Sequence, residues 1–191
     1  IGESSFYGCS NLESISIPSS VSEIGKEAFK ECKSLRNITF KEESNLTIIG
    51  NYSFYGCSKL KSIIFNEQTN LITIGDFALS SCSNLETISF CGCNQLKSIS
   101  IPSSIKYFKD FCFCNCSKLE NILFEEKCQL TTIGGGAFVF CIKLKSISFG
   151  EESKFTKIDQ LTFYNCTELK SISIPSSVDT IVDFAFYNCS S

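Results

Sequence analysis

The chain has 191 residues, 43% hydrophobic and 19% charged, with a formal net charge of −3, which is enough apolar material for a compact core and argues against disorder or a membrane span. It contains no His, Trp or Met, which removes Ser-His and Cys-His catalysis and His-bound zinc from consideration. A slight acidic excess, 20 Asp and Glu against 17 Lys and Arg, creates no field that attracts phosphate, so nucleic acid is not expected as a partner.

Cysteines set a period along the chain. Cys9, Cys32, Cys57, Cys82, Cys116, Cys141, Cys166 and Cys189 follow one another at 23 or 25 residues, with one interval of 34 between Cys82 and Cys116. Around them a frame recurs, with Phe three residues before, Leu three after, Ile six after and Ile or Phe eight after. Thus Phe29-Cys32-Leu35-Ile38-Phe40 reappears as Phe54-Cys57-Leu60-Ile63-Phe65 and as Phe163-Cys166-Leu169-Ile172-Ile174. Repetition at this period is the mark of stacked units.

In chain order, each unit opens with L-x-x-I-x-[IF], whose alternation and β-branched content predict a short strand. A turn follows, either Pro-Ser-Ser after Pro18, Pro102 and Pro175, or a polar loop such as Lys41 to Asn45. Next comes a second apolar pair three residues apart: Val21/Ile24, Leu46/Ile49, Leu71/Ile74, Leu130/Ile133, Phe155/Ile158 or Val178/Ile181. This is the return side of a coil. Gly25, Gly50, Gly75 and Gly134 then share a column that implies a left-handed or tightly packed turn. Ala28-Phe29, Ala137-Phe138 or Ala185-Phe186 and the Cys carry the chain to the next strand. One unit cannot bury its own apolar face, so the units must stack into a solenoid, strand on strand about 4.8 Å apart.

The stretch 82–116 departs from this plan. Leu85 to Phe90 and Leu96 to Ile101 both read as strands but start only 11 residues apart. Counted forward from Phe90, Leu96 and Ile99 fall on a return pair; counted back from Pro102, they fall on a strand. Two units are fused with about half a coil missing, and the five residues Cys91 to Gln95 are too few to circle a coil. Irregular geometry is expected there.

The frame C-x-x-L-x-x-I-x-I-P-x-x-V-x-x-I-G-x-x-A-F-x-x-C, complete in Leu12 to Cys32 and recurring in Leu169 to Cys189 with Val182 at the Gly position, resembles the BspA-like (Treponema pallidum-type) leucine-rich repeat across essentially all 191 residues. The resemblance implies a β-rich, right-handed leucine-rich repeat solenoid with a parallel sheet and repeats of 23–25 residues. It also implies a surface antigen or adhesin, on the cell surface or secreted, that binds a host or extracellular matrix protein. The expected organisation is one domain over 1–191, a fragment of a longer array, with any membrane link or signal peptide in segments outside it. The alternative is an intracellular protein-interaction scaffold with reduced thiols.

The eight periodic cysteines replace a core residue of ordinary leucine-rich repeats and are expected to be buried, reduced thiols. Cys91, Cys93, Cys112, Cys114 and Cys128 lie off this ladder. Of these, Cys91, Cys112, Cys114 and Cys128 are the expected accessible thiols, with a local disulfide or a zinc site as alternatives for the set, and the repeat explains Cys93 in part. Six N-x-S/T sequons, at Asn37, Asn45, Asn51, Asn115, Asn165 and Asn188, are weak evidence for secretion, and the last three are expected to be crowded by their cysteines. Acidic pairs Glu42-Glu43, Glu125-Glu126 and Glu151-Glu152 read as solvated turns, with loose calcium binding as the lesser alternative.

The exposed strand columns form the expected binding face. They are rich in Ser with alternating charge, and Arg36, Lys61, Ile64 and Leu123 break that monotony as candidate ligand contacts. With no Gly-rich phosphate loop and no nucleophile beside a base, the chain reads as non-enzymatic, with no catalytic residue, cofactor, metal or small-molecule substrate.

Overall fold

The computed structural model describes residues 1–65, 69–128, 130–150 and 152–190. Longer and shorter strands alternate, except between residues 87 and 101, where two longer strands follow one another. In the N-terminal half these are β1 (Ser14–Ile17), β2 (Glu23–Ile24), β3 (Asn37–Phe40), β4 (Ile48–Ile49), β5 (Ser62–Ile64), β6 (Thr73–Ile74) and β7 (Thr87–Ser89). The C-terminal half continues with β8 (Ser98–Ile101), β9 (Tyr107–Phe108), β10 (Asn121–Phe124), β11 (Thr132–Ile133), β12 (Ser146–Ser148), β13 (Lys157–Ile158), β14 (Ser171–Ser173) and β15 (Thr180–Ile181).

All strand pairs are parallel and in register with the repeat. Ser14 opposes Asn37, Ser62 opposes Thr87, Asn121 opposes Ser98 and Ser146 opposes Ser171. The return strands pair likewise, β2 with β4, β4 with β6, β9 with β11 and β13 with β15. The alternation dictates the burial: Ile38, Ile63, Ile88, Ile99, Ile122 and Ile147 point inward while most of their strand neighbours lie at the surface, Thr87 being an exception that is buried. One continuous apolar cluster runs from Ile17 to Ala185.

Phe rings stack along the axis. Phe6, Phe29 and Phe54 form one stack with centroids 4.9 and 5.2 Å apart. Phe90, Phe113, Phe138, Phe163 and Phe186 form another, at 5.1–5.6 Å. Leu79 takes the Phe place in between and interrupts the column. From Cys32 onward each of the eight-member ladder's thiols donates to the carbonyl of the Phe one coil earlier, among them Cys57 to Phe29, Cys82 to Phe54, Cys116 to Phe90 and Cys141 to Phe113, these four at 3.1 Å. A residue here must be small and apolar yet offer a weak donor, and cysteine meets both demands.

The corner that leads from a return strand to the next long strand is built from two turns whose residues hold positive φ. One column contains Ser4, Glu27, Tyr52, Phe77, Phe111 and Phe184, the other Gly8, Gly56, Asn115, Asn165 and Asn188. Asn tolerates this left-handed conformation better than most residues. The local backbone therefore accounts for Asn at the last three sequons, of which Asn115 and Asn188 are exposed and Asn165 half-buried. The glycine column just before this corner has a different cause. A Cβ on Gly50 would lie 2.6 Å from the Lys26 amide nitrogen, so close approach between coils, not left-handed backbone, requires Gly.

The cysteines off the eight-member ladder are mostly inside. Cys93, Cys112 and Cys128 are buried, whereas Cys91 and Cys114 are half-buried; on the ladder itself six thiols are buried, but Cys9 is exposed and Cys189 half-buried, contrary to the expectation for those two. Both the ladder and the non-ladder thiols in the interior are pushed up by loss of solvation, Cys32 and Cys128 to about 11 and Cys82, Cys93 and Cys166 to about 12. Among the described residues, no three Cys, Asp or Glu side chains converge as a metal ion would require.

Candidate functional site

The exposed strand face follows from the two-residue period of each long strand. On β3 and β5, Arg36 and Lys61 stand side by side at the strand entries, the Lys61 amide donating to the Arg36 carbonyl at 3.4 Å. Ile64, at the end of β5, is 48% exposed. Among the described residues neither cation makes an ion pair. In the corresponding column of the C-terminal half, Glu120 is held to Lys145 at 2.6 Å. That contact lowers the Glu120 carboxyl and raises the Lys145 ammonium from their ordinary values.

Leu123, 64% exposed on β10, does not join the other three. The reason lies at the fused unit, where the second half of the solenoid is turned by half a coil relative to the first. β8 is a long strand by its own half, yet it lies beside the short return strand β6, the Lys97 amide donating to the Ile72 carbonyl at 3.4 Å. Correspondingly, the return strand β9 lies beside the long strand β7, and the Tyr107 hydroxyl meets Thr87 Oγ1 at 3.0 Å. The long-strand face of one half thus continues into the return face of the other. Eight long strands give two four-strand faces on opposite sides, each spanning roughly 15–20 Å. Arg36, Lys61 and Ile64 share one face, and Leu123 occupies the other.

Phe90 carries the switch. It ends the long strand of the first half, stacking on Phe65 at 5.2 Å, which itself stacks on Phe40 at 4.3 Å. It also begins the corner of the second half, stacking on Phe113 at 5.6 Å, with its amide donating to the Cys112 carbonyl at 2.6 Å. Both sequence registers of Leu96 to Ile101 are therefore realised at once, one belonging to each half. Cys93 accordingly stands three residues after a corner Phe and joins the buried ladder.

The half-coil step leaves a cleft of about 630 Å³ on the outer surface, lined by Tyr52, Tyr55, Phe77, Ser80, Ser81, Ser103, Glu125 and Glu126. Glu125 spans it, accepting from the Ser80 hydroxyl and from the Ser103 amide at 3.1 Å. Sequence reasoning took Glu125 and Glu126 as a solvated turn and singled out none of the aromatic residues; the corner-on-loop contact that joins them exists only because of the step. Glu42 and Glu43 lie in an ordinary exposed loop, and Glu151 lies outside the described residues.

The model of the BspA type leucine-rich repeat region matches in six copies, over residues 1–92 and 86–191. The two matched stretches overlap at 86–92, which contains Phe90. No curated protein matches the chain. Among solved structures, a leucine-rich repeat protein of T. pallidum is 31% identical over 75% of this chain and 70% of its own, with a TM-score of 0.44. A leucine-rich cell surface protein of Faecalibacterium prausnitzii is 25% identical, covering 99% and 60%, with a TM-score of 0.42. A leucine-rich repeat protein of Bacteroides ovatus is 27% identical, covering 99% and 67%, with a TM-score of 0.38. With its repeat matched along both halves and its strands stacked in that register, the chain belongs to the BspA-type leucine-rich repeat family.

Proposed function

We propose that the chain is a non-enzymatic, surface-exposed binding module that adheres to a host or extracellular matrix protein through the face of β1, β3, β5 and β7. The observation that carries this reading is the group formed by Arg36, Lys61 and Ile64: two cations outside any ion pair among the described residues, next to an exposed branched side chain on a rigid parallel face. A macromolecule suits such a shallow surface better than a metabolite does. Family membership and the exposed sequons at Asn37, Asn45 and Asn51 support an extracellular setting. Leu123 serves as a separate contact on the opposite side. Affinity per fragment is modest, because a Ser-rich face has few anchors, and longer arrays gain by avidity.

The test is direct binding to immobilised matrix proteins with Arg36→Glu, Lys61→Glu and Ile64→Ser combined, and Leu123→Ser as a separate variant. Loss of binding in the triple variant with retained folding supports the reading. Binding that survives it and is lost with Leu123→Ser places the contact on the other face. The competing reading, an intracellular scaffold, draws on the reduced thiol ladder, and a glycan on Asn37 or Asn45 of the native protein would exclude it.

A further inference from the structure

We infer that the cleft at the half-coil step binds an extended peptide segment carrying a basic side chain. The argument begins with how the coils are joined. At each regular corner, alternate amides of one coil donate to carbonyls of the next. Ser4, Phe6 and Gly8 donate to Lys26, Ala28 and Lys30; Glu27, Phe29 and Glu31 donate to Asn51, Ser53 and Tyr55; Tyr52, Phe54 and Gly56 donate to Asp76, Ala78 and Ser80, at 2.7–3.1 Å. The same three-bond pattern recurs from Phe111, Phe113 and Asn115 in the second half.

On the opposite corner the polarity is reversed, with loop amides pointing back towards the preceding coil. Asn45 donates to Ser19, Thr47 to Ser22 and Glu125 to Ile101. The half-coil step sets one kind of corner against the other. Donors therefore face donors: Phe77 and Ser81, which line the cleft, on one side and Ser103 on the other, with buried Leu79 between Phe77 and Ser81 in the chain. Among the described residues, no carbonyl accepts from the amides of Phe77, Leu79 or Ser81. Glu125 supplies an acceptor, taken by Ser80 and Ser103, and the row of three amides is left as a template for backbone carbonyls at two-residue spacing. An extended peptide presents such a row.

Charge defines the side chain. The cleft holds two carboxylates and the rings of Tyr52, Tyr55 and Phe77, with Phe77 51% exposed and stacked on Tyr52 at 5.3 Å, and no basic group lines it. The neighbouring coils show what this surface chemistry holds. Lys30 Nζ sits 5.4–5.8 Å from the ring centres of Tyr7, Tyr52 and Tyr55 and 3.3 Å from Glu27. Tyr52 and Tyr55 already carry Lys30, and the cleft adds the exposed Phe77 ring stacked on Tyr52 with Glu126 in the role of Glu27, so an incoming Lys or Arg takes its place over Phe77 beside Glu126. A neutral sugar would use the rings but not the three-amide row, so the peptide is the occupant the geometry favours.

The experiment follows backbone amide resonances of the isotopically labelled chain on titration with the blocked peptide Ser-Val-Ser-Arg-Ser-Val-Ser, with its central Glu analogue and with a neutral oligosaccharide. The expected result is saturable shifts at Phe77, Leu79 and Ser81, weaker by about tenfold or more for the Glu peptide and for Glu126→Gln. Arg36→Glu with Lys61→Glu should leave them unchanged, which separates this site from the strand face. Without ligand, the amides of Phe77 and Ser81 should exchange with solvent faster than those of Tyr52 and Gly56 one coil below. Equal binding of the Glu peptide, shifts confined to other amides, no binding up to millimolar peptide, or preference for the sugar would each overturn the proposal. The peptide and sugar titrations and the exchange comparison use the unaltered chain, so they hold even if a variant fails to fold.

Discussion

Replacing Phe90 with Ala should be among the most damaging single substitutions in the chain. The ring is fully buried and touches a ring on either side, Phe65 at 5.2 Å and Phe113 at 5.6 Å. Truncating a buried Phe costs about 3–5 kcal/mol through lost transfer energy and the cavity left behind. Each stacked pair contributes roughly 0.5–1.5 kcal/mol beyond burial, so the loss should fall near the top of that range, about 4–5 kcal/mol. Phe6, only partly buried and stacked on Phe29 alone, should cost about 2 kcal/mol when truncated. Position adds a qualitative effect. A solenoid is held together by nearest-neighbour interfaces, and Phe90 is the side chain that both halves share. Phe90→Ala should therefore convert one urea transition into two, resolved by hydrogen exchange of peptides from residues 1–65 and from 130–150. A single transition with a loss below about 2 kcal/mol, or a loss equal to that of Phe6→Ala, would refute the double role assigned to Phe90.

Phe138→Ala, fully buried between Phe113 and Phe163, should cost about 3–5 kcal/mol in denaturant melts, whereas Ser146→Ala on the exposed strand column should change stability by less than about 0.5 kcal/mol. Gly50→Ala should destabilise by about 1–3 kcal/mol because the added methyl meets backbone atoms at 2.6 and 2.8 Å that no side-chain rotation can clear. Native thiol labelling at neutral pH should modify Cys9 first and Cys91, Cys114 and Cys189 slowly, leaving Cys93, Cys112 and Cys128 untouched until denaturant is added; rapid labelling of Cys112 would contradict its burial. Because the interior thiols titrate higher in the folded chain than in the unfolded one, their contribution to stability is complete below pH 9 and is lost as pH rises through 11 to 12. Urea midpoints should fall steeply above pH 9, by up to about 1.4 kcal/mol per thiol per pH unit, and a flat profile to pH 11 would mean that the ladder is solvated.

The repeat, the strand register, the buried side of each strand and, apart from exposed Cys9 and half-buried Cys189, the buried cysteine ladder were legible in the sequence, because each depends on a local period. An L-x-x-I-x-[IF] strand buries Leu and Ile wherever its unit is placed, and every coil repeats the same neighbours at 23 or 25 residues. Even the anomaly at 82–116 was visible as two registers that both fit. What the sequence could not decide was how those registers are reconciled in space. Stacking resolves them by letting Phe90 serve as strand end and corner together, and this turns the second half by half a coil. That rotation depends on contacts between units, β8 beside β6 and β9 beside β7, which have no local signature. It separates Leu123 from Arg36, Lys61 and Ile64, although all four occupy equivalent strand columns. It also brings Glu125 and Glu126 from one corner type against Phe77, Ser80 and Ser81 of the other, leaving amide donors opposed to amide donors. A periodic sequence specifies its own unit; where the period slips, only the packing of one unit on the next determines which faces meet.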